Sequence, residues 1–532
     1  MTTPLHATGA TPPGSTAPFD SILRTLSGSP AETWLEAGRA LVLKQDLDAA
    51  AAVLHAALAH FPDEAELRLA LAGVYWQRKE YGDAQVLLDE LLARQPNHVA
   101  AVFTLARLHA ERDALPAAEA AFRALFERFA QPADLALRAA KMLADWGRKP
   151  AAAEICEAAI AAGADDAMLH LYAAALQGQL GEFERSRRHY LFALDHDPRT
   201  LEFGAAYGLA SISRYDDPGH ADLARFAALL QRPGLDARSR ASLLFALGKV
   251  HDDLGRFEQA AAYFREANAR VDRENWSRKN WRRVVDARLS AKPLPARTPA
   301  TGECVPIFVV GAPRSGTTLV AELLGRSPQV RNRGELDWLP HYAERVARAG
   351  RPTPQLLDEV AAAYLAKLRQ EESGVRWFVD KQPLNFLHVD LIRALFPQAA
   401  IVHCRRGSRD TALSIWTQHF GSTEYRFAYD FDDIAAVLQG CARLMARAAR
   451  DPGARVLEVR YEDLAREPQA VVDGLAAALG VPAFDCSEPE ARRHAIGTAS
   501  VWQARQPVYT RAIGRWRAYA PFVPELLKLA DD

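Results

Sequence analysis

Pro306-Ile307-Phe308-Val309-Val310-Gly311-Ala312-Pro313-Arg314-Ser315-Gly316-Thr317-Thr318 decides how the second half of this chain folds. An apolar run ends at Val310, a turn with two glycines follows, and Leu319-Val320-Ala321-Glu322-Leu323-Leu324 carries on as the start of a helix. That order is buried strand, turn, helix. The loop amides and the helix N-terminus then face one point, which suits a cluster of anionic oxygens. The glycines have the spacing of a Walker A loop, but Thr317 stands where G-x-x-x-x-G-K-[ST] requires lysine. The loop therefore reads as a seat for a phosphate-like group other than the γ-phosphate of ATP, with Arg314 supplying positive charge. The plainer alternative is a strand–turn–helix whose glycine and threonines only turn and cap.

Downstream, the β-rich runs Arg376–Val379, Ala399–His403 and Val456–Val459 alternate with helical segments, which predicts a parallel sheet wrapped by helices. Upstream, Lys292-Pro293-Leu294-Pro295-Ala296-Arg297-Thr298-Pro299 precludes helix and reads as a linker. Before it, Ala31 to Val271 repeats. Pro62 and Pro96 stand 34 positions apart, the tetratricopeptide period. Small and large positions recur, as in Gly38 and Leu54, Ala72 and Leu88, Ala106 and Phe122, Gly248 and Phe264. Small residues let paired helices approach, and large ones fill the neighbouring groove. Leu135–Ala162 is a weaker unit, Tyr215–Leu235 fits the period badly, and Glu274–Val285 reads as a capping helix. The expected plan is a tail over 1–18, a helical repeat domain over 19–287, a linker over 288–304 and a three-layer, P-loop-like α/β domain with a parallel sheet over 305–532.

Length and composition agree with that plan. A chain of 532 residues exceeds one domain, and 49% hydrophobic with 25% charged residues is ordinary for a globular protein. A net charge of −1 argues against a broad basic field for nucleic acid. The five cysteines are scattered, without a C-x-x-C, so a disulfide framework or a zinc site is not expected. His341, His388, His403 and His419 show no metal-ligand spacing. Met1–Pro18 lacks the pattern of a signal peptide, and no apolar run approaches the about 18–20 residues of a membrane span, so a cytoplasmic location is expected.

Two further stretches carry chemistry. Ala400-Ile401-Val402-His403 leads into Arg405-Arg406-Gly407-Ser408-Arg409-Asp410-Thr411-Ala412-Leu413-Ser414. A strand ending in arginines, with a serine eight positions on, can set a guanidinium fork and a hydroxyl around one phosphate. Val379-Asp380-Lys381-Gln382-Pro383 places a lysine at a strand end before a proline turn. Structural readings stand beside these: a solvated charge cluster at a helix start with Asp410 in its first turn, and a surface lysine.

Taken together, the loop with its Arg-Ser-Gly-Thr-Thr resembles the 5′-phosphosulfate loop of sulfotransferases, which use 3′-phosphoadenosine 5′-phosphosulfate (PAPS) as donor. It is most similar to the protein-tyrosine branch and to bacterial sulfotransferases with tetratricopeptide repeats. The resemblance implies that Arg314, Ser315, Gly316, Thr317 and Thr318 hold the 5′-phosphosulfate, and that Arg406 and Ser414 hold the 3′-phosphate. It implies a general base at Glu335, which lies 21 positions beyond Arg314 as in the family, and a catalytic lysine at Lys381. A surface helix-capping role is the alternative for Glu335. Tyr461, in Arg460-Tyr461-Glu462-Asp463-Leu464, matches a residue near the nucleotide, although a core role competes. Thr498–Trp502 and Arg511–Arg517 resemble the segment that folds over the donor, and Arg511 carries over from it. The chain departs from the pattern at Gly334 and Asp337, where the family has an acidic residue and an arginine, and it lacks the "RKG" of cytosolic enzymes. The implied activity is transfer of a sulfonate from PAPS to an acceptor hydroxyl, protein tyrosine among the candidates, without a metal. The repeat groove would hold an acceptor protein or peptide, or a separate partner. Two rival readings remain: a P-loop kinase-like enzyme using ATP and Mg²⁺, and a repeat scaffold with an inactive nucleotide-binding domain.

Overall fold

A computed structural model describes residues 17–530 apart from 275, 301, 351, 370–371, 373, 452, 488–501 and 503–504. Most of the Met1–Pro18 tail and the Thr498–Val501 part of the expected donor cover lie outside the described residues. Ala17 and Pro18, assigned to the tail, open the first helix.

The alternation of small and large residues becomes stacked helix pairs. Met1–Gln131 is one compact unit, built from α1 (Ala17–Leu26), α2 (Ala31–Leu43), α3 (Leu47–His60), α4 (Ala65–Gln77), α5 (Tyr81–Arg94), α6 (Val99–Glu111) and α7 (Leu115–Arg128). Gly38 of α2 packs so tightly on α3 that a Cβ there would meet Leu54 at 2.6 Å. The second unit, Pro132–Asp532, begins with more pairs: α8 (Ala133–Asp145) with α9 (Lys149–Ala161), and α10 (Ala167–Leu180) with α11 (Phe183–His196). The weak unit near Leu135–Ala162 is thus a regular pair. The period then breaks where the sequence fits it badly. α12 (Ala205–Ser211) is short, and a loop carries Tyr215 inward before α13 (Ala221–Leu230). The Tyr215 hydroxyl donates to Asp222 Oδ2 at 2.9 Å, and Arg187 grips both oxygens of Asp222 at 2.6 and 2.8 Å. That buried network replaces the missing helix contacts. α14 (Ala237–Asp253) and α15 (Phe257–Asn268) restore the pairing, with Gly248 against Phe264 at the same chain separation as Gly38 and Leu54. The expected capping helix is α16 (Arg278–Ser290).

The grammar then changes as the sequence predicts. The order is β1 (Val305–Gly311), α17 (Thr317–Gly325), β2 (Val330–Asn332), α18 (Trp338–Arg348), α19 (Pro354–Arg369), β3 (Trp377–Lys381), α20 (Val389–Leu395), β4 (Ala400–Arg405), α21 (Ser408–Trp416), α22 (Phe431–Ala449), β5 (Arg455–Arg460), α23 (Tyr461–Arg466), α24 (Pro468–Leu479) and the short α25 (Trp516–Tyr519). The strands form one parallel sheet in the order β2-β3-β1-β4-β5. Helices cover both faces, so β1 is buried throughout, which explains its unbroken apolar run. Phe308, Val310, Phe378 and Ile401 face one core; Ile307, Val309, Val379 and Val402 face the other. β2 is absent from the sequence expectation because only Val330 of its three residues is apolar.

The first of those cores does not stop at the proline-rich segment. Phe245, Phe264, Trp281 and Val285 from the late repeat helices share it with Phe386, Trp416 and Phe431. Polar contacts tie the same surface. Asn268 donates to the Trp416 carbonyl at 3.1 Å, Trp281 Nε1 donates to the Ala436 carbonyl at 2.9 Å, and Arg278 Nε reaches Asp433 at 2.8 Å. The linker itself is docked: the Arg297 amide donates to the Ala394 carbonyl at 3.0 Å, and its buried guanidinium pairs with Glu303.

Two glycines in this unit separate packing from backbone entropy. A Cβ at Gly248 would meet Phe264 at 2.6 Å, whereas at exposed Gly474, inside α24, nothing lies within 4 Å. Gly248→Ala is expected to destabilise by about 1–3 kcal/mol through overpacking. Gly474→Ala is expected to stabilise by about 0.5–1 kcal/mol, the helix-propensity gain. Urea unfolding of both variants checks the opposite signs.

Candidate functional site

The loop after β1 emerges at the carboxyl edge of the sheet, between β3 and β4, where the connections run off in opposite directions. Open α/β sheets bind ligands at such a switch point. Glycine is required twice in the loop. A Cβ at Gly311 would lie 2.4 Å from the Cys404 carbonyl oxygen, and Gly316, at φ +101°, would press one against Tyr461 at 2.9 Å. Arg314 between them holds φ +67° without being glycine. Such a conformation costs of order 1 kcal/mol or more and persists only where surroundings fix it. Here its Nε donates to Ser414 Oγ at 3.0 Å, and its carbonyl accepts from Arg406 Nη1 at 3.2 Å. Thr317 and Thr318 open α17, and Ser315 is buried beneath the loop with no hydrogen-bond partner for its Oγ among the described residues.

Arg314, Arg406 and Ser414 therefore converge on one point, from β1 and β4. Burial and the neighbouring Arg406 pull the Arg314 guanidinium below its ordinary pKa. Arg406 lies over the Tyr461 ring, with its Cζ 4.7 Å from the ring centre, and its Nη2 donates to the Ala512 carbonyl at 2.7 Å. Its buried Nε has no partner among the described residues. Arg405 instead points to Glu458 at 3.1 Å, away from this cluster. Arg511 reaches the same cavity, stacked on Tyr509 at 4.1 Å. Asp410, near the start of α21, accepts from the amides of Gly514 and Trp516 at 2.5 and 2.9 Å, so it holds the C-terminal segment.

Glu335 and Lys381 meet at the β2–β3 end of the site. The Lys381 ammonium is buried and paired with Glu335 Oε1, and the Lys381 amide donates to the Gly334 carbonyl at 2.9 Å. Gly334 is at φ +71°, and that turn brings Glu335 back towards β3. Gln382 holds Asp337 at 3.1 Å. Phe420 and Tyr425 stack with ring centres 4.7 Å apart and line the cavity with Glu335. Burial, then the charges of Glu335 and Glu424, push the Tyr425 hydroxyl well above the ordinary tyrosine range.

Arg314, Glu335, Arg406, Ser414, Tyr461 and Arg511 border one cavity of about 650 Å³, and Lys381 stands behind that lining through its pairing with Glu335. The repeat helices form a wall of it that sequence reasoning missed: Tyr207 and Ser211 of α12, Arg214, and Lys249 and Asp252 of α14. One signal was available. Asp252 and Asp253 occupy the last turn of α14, where the helix dipole disfavours carboxylates, and a position against the dipole asks for a compensating partner. No group of His, Cys, Asp and Glu suited to a metal occurs among the described residues. Nor, among them, is any helix long and apolar enough to cross a membrane.

Residues 306–485 match the sulfotransferase family, and residues 41–108 match the tetratricopeptide repeat. The C-terminal α/β domain carries the match to the sulfotransferase family. Repeats precede it, as the helix pairs indicate. The relatives include a putative protein-tyrosine sulfotransferase of Caenorhabditis briggsae, 23% identical over 42% of this chain and 85% of its own length. An uncharacterised protein of Aquifex aeolicus is 27% identical over 57% of this chain, which spans only 43% of that relative. Among solved structures, the sulfotransferase domain of the Synechococcus olefin synthase is similar at 23% identity and a TM-score of 0.33, over 44% of this chain and 98% of that one.

Beneath this cavity, β3 carries a second carboxyl. Asp380 is fully buried; its Oδ2 accepts from the Tyr364 hydroxyl and from Asn385 at 3.3 Å, and its Oδ1 has no partner among the described residues. Burial pushes its pKa from the usual 3.8 up to about 7, against the pull of Tyr364 and Lys381. The folded state thus holds a proton that the unfolded state releases. Native stability falls as pH rises from about 4 to about 7, by at most roughly 1.4 kcal/mol per pH unit. Asp380→Asn is expected to abolish that decline. Denaturant unfolding near pH 5 and near pH 8 reads it, and equal pH dependence in both proteins would contradict it.

Proposed function

We propose that this chain transfers the sulfonate of PAPS to an acceptor hydroxyl, a phenolic one in particular. The observation that carries this reading is the convergence of Arg314, Arg406 and Ser414 beside the buried Lys381–Glu335 pair on one cavity. The residues present fit the donor. Ser315 Oγ and Arg406 Nε are buried donors without partners among the described residues, as anion ligands would be. The cavity falls within the about 300–1,000 Å³ of small-molecule sites. In this reading the loop with Arg314 takes the 5′-phosphosulfate, and Arg406 with Ser414, at the adjoining side of the same cluster, takes the 3′-phosphate. Thr317 in the Walker lysine position argues against ATP.

In this reading PAPS supplies an activated sulfonate bound to a phosphate oxygen. Glu335 takes the proton of the acceptor hydroxyl as that oxygen bonds to sulfur. The bond from sulfur to the 5′-phosphate oxygen breaks, and its electron pair stays on that oxygen. Lys381 and Arg314 offset the charge there without moving a proton. Glu335 and Lys381 now share an ion pair, so any group that draws the ammonium away also frees the carboxylate as base. The stacked Phe420 and Tyr425 rings beside Glu335 favour an aromatic acceptor. Protein tyrosine is one, in keeping with the name of the Caenorhabditis relative. The tetratricopeptide repeats would recognise an acceptor protein or a partner on their concave surface.

Adenosine 3′,5′-bisphosphate is expected to bind about tenfold to a hundredfold more tightly than AMP, since a hydrogen bond to a charged group contributes about 1.5–3 kcal/mol. Calorimetry with both ligands decides it, and equal affinities would remove the 3′-phosphate site. Glu335→Gln should keep bisphosphate affinity and lower turnover by about a hundredfold or more. Parent rates for every phenol tested would exclude Glu335 as the base.

A further inference from the structure

The segment from Arg505 to Trp516 crosses the cavity as a strap, and both of its ends are tied to repeat helices. At one end Arg505 Nη2 donates to the Gln179 carbonyl at 2.9 Å, near the end of α10. The fit is close, because a Cβ on Gly181 would meet the Arg505 side chain at 2.7 Å. At the other end Arg515 pairs with Asp252 Oδ2 of α14, and Tyr519 donates its hydroxyl to Asp252 Oδ1. One repeat carboxylate thus has both oxygens committed to the C-terminal segment. Between the two ties, the carbonyl of Ala512 accepts from Arg406 Nη2 at 2.7 Å. The turn that presents this carbonyl is pinned by the Gly514 and Trp516 amides on Asp410.

A guanidinium aims its five donors as one rigid fork, so fixing one nitrogen and the ring face fixes the rest. Tyr461 fixes the face of Arg406, and Ala512 fixes Nη2. Nε is left for a ligand. If the strap shifts, the Ala512 carbonyl goes with it and the fork loses its aim. Burial opposes the charge on Arg515, yet Asp252 more than offsets that and raises its pKa above the ordinary value.

We propose that Asp252, a residue of the repeat region, is a positioning residue for the donor's 3′-phosphate, acting through Arg515 and the Ala512 carbonyl on Arg406. The repeats are then part of the donor site, in addition to whatever they recognise outside it. The proposal rests on the 3′-phosphate reading of Arg406 above.

The test compares full-length proteins by calorimetry with adenosine 3′,5′-bisphosphate and with AMP, and takes the ratio of the two dissociation constants. Asp252→Asn and Arg515→Gln are each expected to lower that ratio about tenfold, the effect of one misplaced charge-assisted contact, while AMP affinity stays near the parent value. Because they break one link, the double variant should lose no more than either single one. Arg265→Gln is the control. Arg265 bridges α15 to Glu525 at 2.7 Å, a tie across the same surface that does not touch the strap turn. It should lower the melting temperature and leave the ratio intact. An unchanged ratio in Asp252→Asn overturns the proposal, and so does an equal fall in Arg265→Gln, which would mean general loosening. Should Asp252→Asn not fold, Arg515→Gln tests the same link from its other side, and an unaltered ratio there is equally decisive against it. A parent protein that fails to discriminate the two nucleotides would instead sink the 3′-site reading itself.

Discussion

Three cations have to stand close together at the carboxyl edge of one parallel sheet. Arg314, Lys381 and Arg406 leave β1, β3 and β4, and like charges so placed repel one another. Each is held by a different kind of partner. Arg314 has the Ser414 hydroxyl, Arg406 has two carbonyls and an aromatic face, and Lys381 has a carboxylate. Much of the surrounding architecture answers to that arrangement. Gly311 and Gly316 let the loop lie against β4 and Tyr461, the turn at Gly334 returns Glu335 to Lys381, and the strap carries a carbonyl to Arg406. Sulfonate transfer, in the proposed reading, draws on the same cations, since negative charge builds where they point.

The repeats and the sheet are less separable than their sequences suggest. Phe264 and Trp281 are repeat-side residues, but the core they fill belongs equally to α21 and α22. Burying side chains of this size contributes about 1.5–3 kcal/mol each. The linker is correspondingly not a hinge: Arg297 anchors it on the end of α20. Earlier in the chain, Met1–Gln131 forms a unit of its own.

What the sequence displays and what it hides follow from distance along the chain. Strands β1, β3 and β4 are legible because a sheet covered on both faces demands short runs of β-branched and aromatic residues, and the edge strand β5 is legible from Val456, Leu457 and Val459 although charges interrupt it. Gly38 with Leu54 and Gly248 with Phe264 are legible because a repeat prints one packing rule at fixed spacing. Arg314, Glu335, Lys381 and Arg406 were found by motif and spacing, and the structure gathers them. Asp252, Tyr207 and the Ala512 carbonyl were not found. Their places arise only when the strap closes on helices some 260 residues earlier; the carboxylates set against the dipole of α14 ask for a partner, but nothing local says which. Asp380 escaped for a related reason. A carboxyl inside a strand reads as an edge position, and only the burial of Tyr364 against it reveals a proton held near neutrality.

Tyr519, Val523 and Leu526 close the same core that holds Leu244, Phe245 and Phe264. On a ribosome, the late repeat helices therefore emerge with apolar faces that nothing upstream can cover. They wait for more than a hundred further residues before Phe386 and Trp416 exist, and for more than two hundred before Tyr519 does. Met1–Gln131 carries its own core and can fold as a unit as it leaves the exit tunnel. During synthesis the chain passes through a stage with one finished unit and a long, sticky intermediate, which is the stage at which a chaperone would find it.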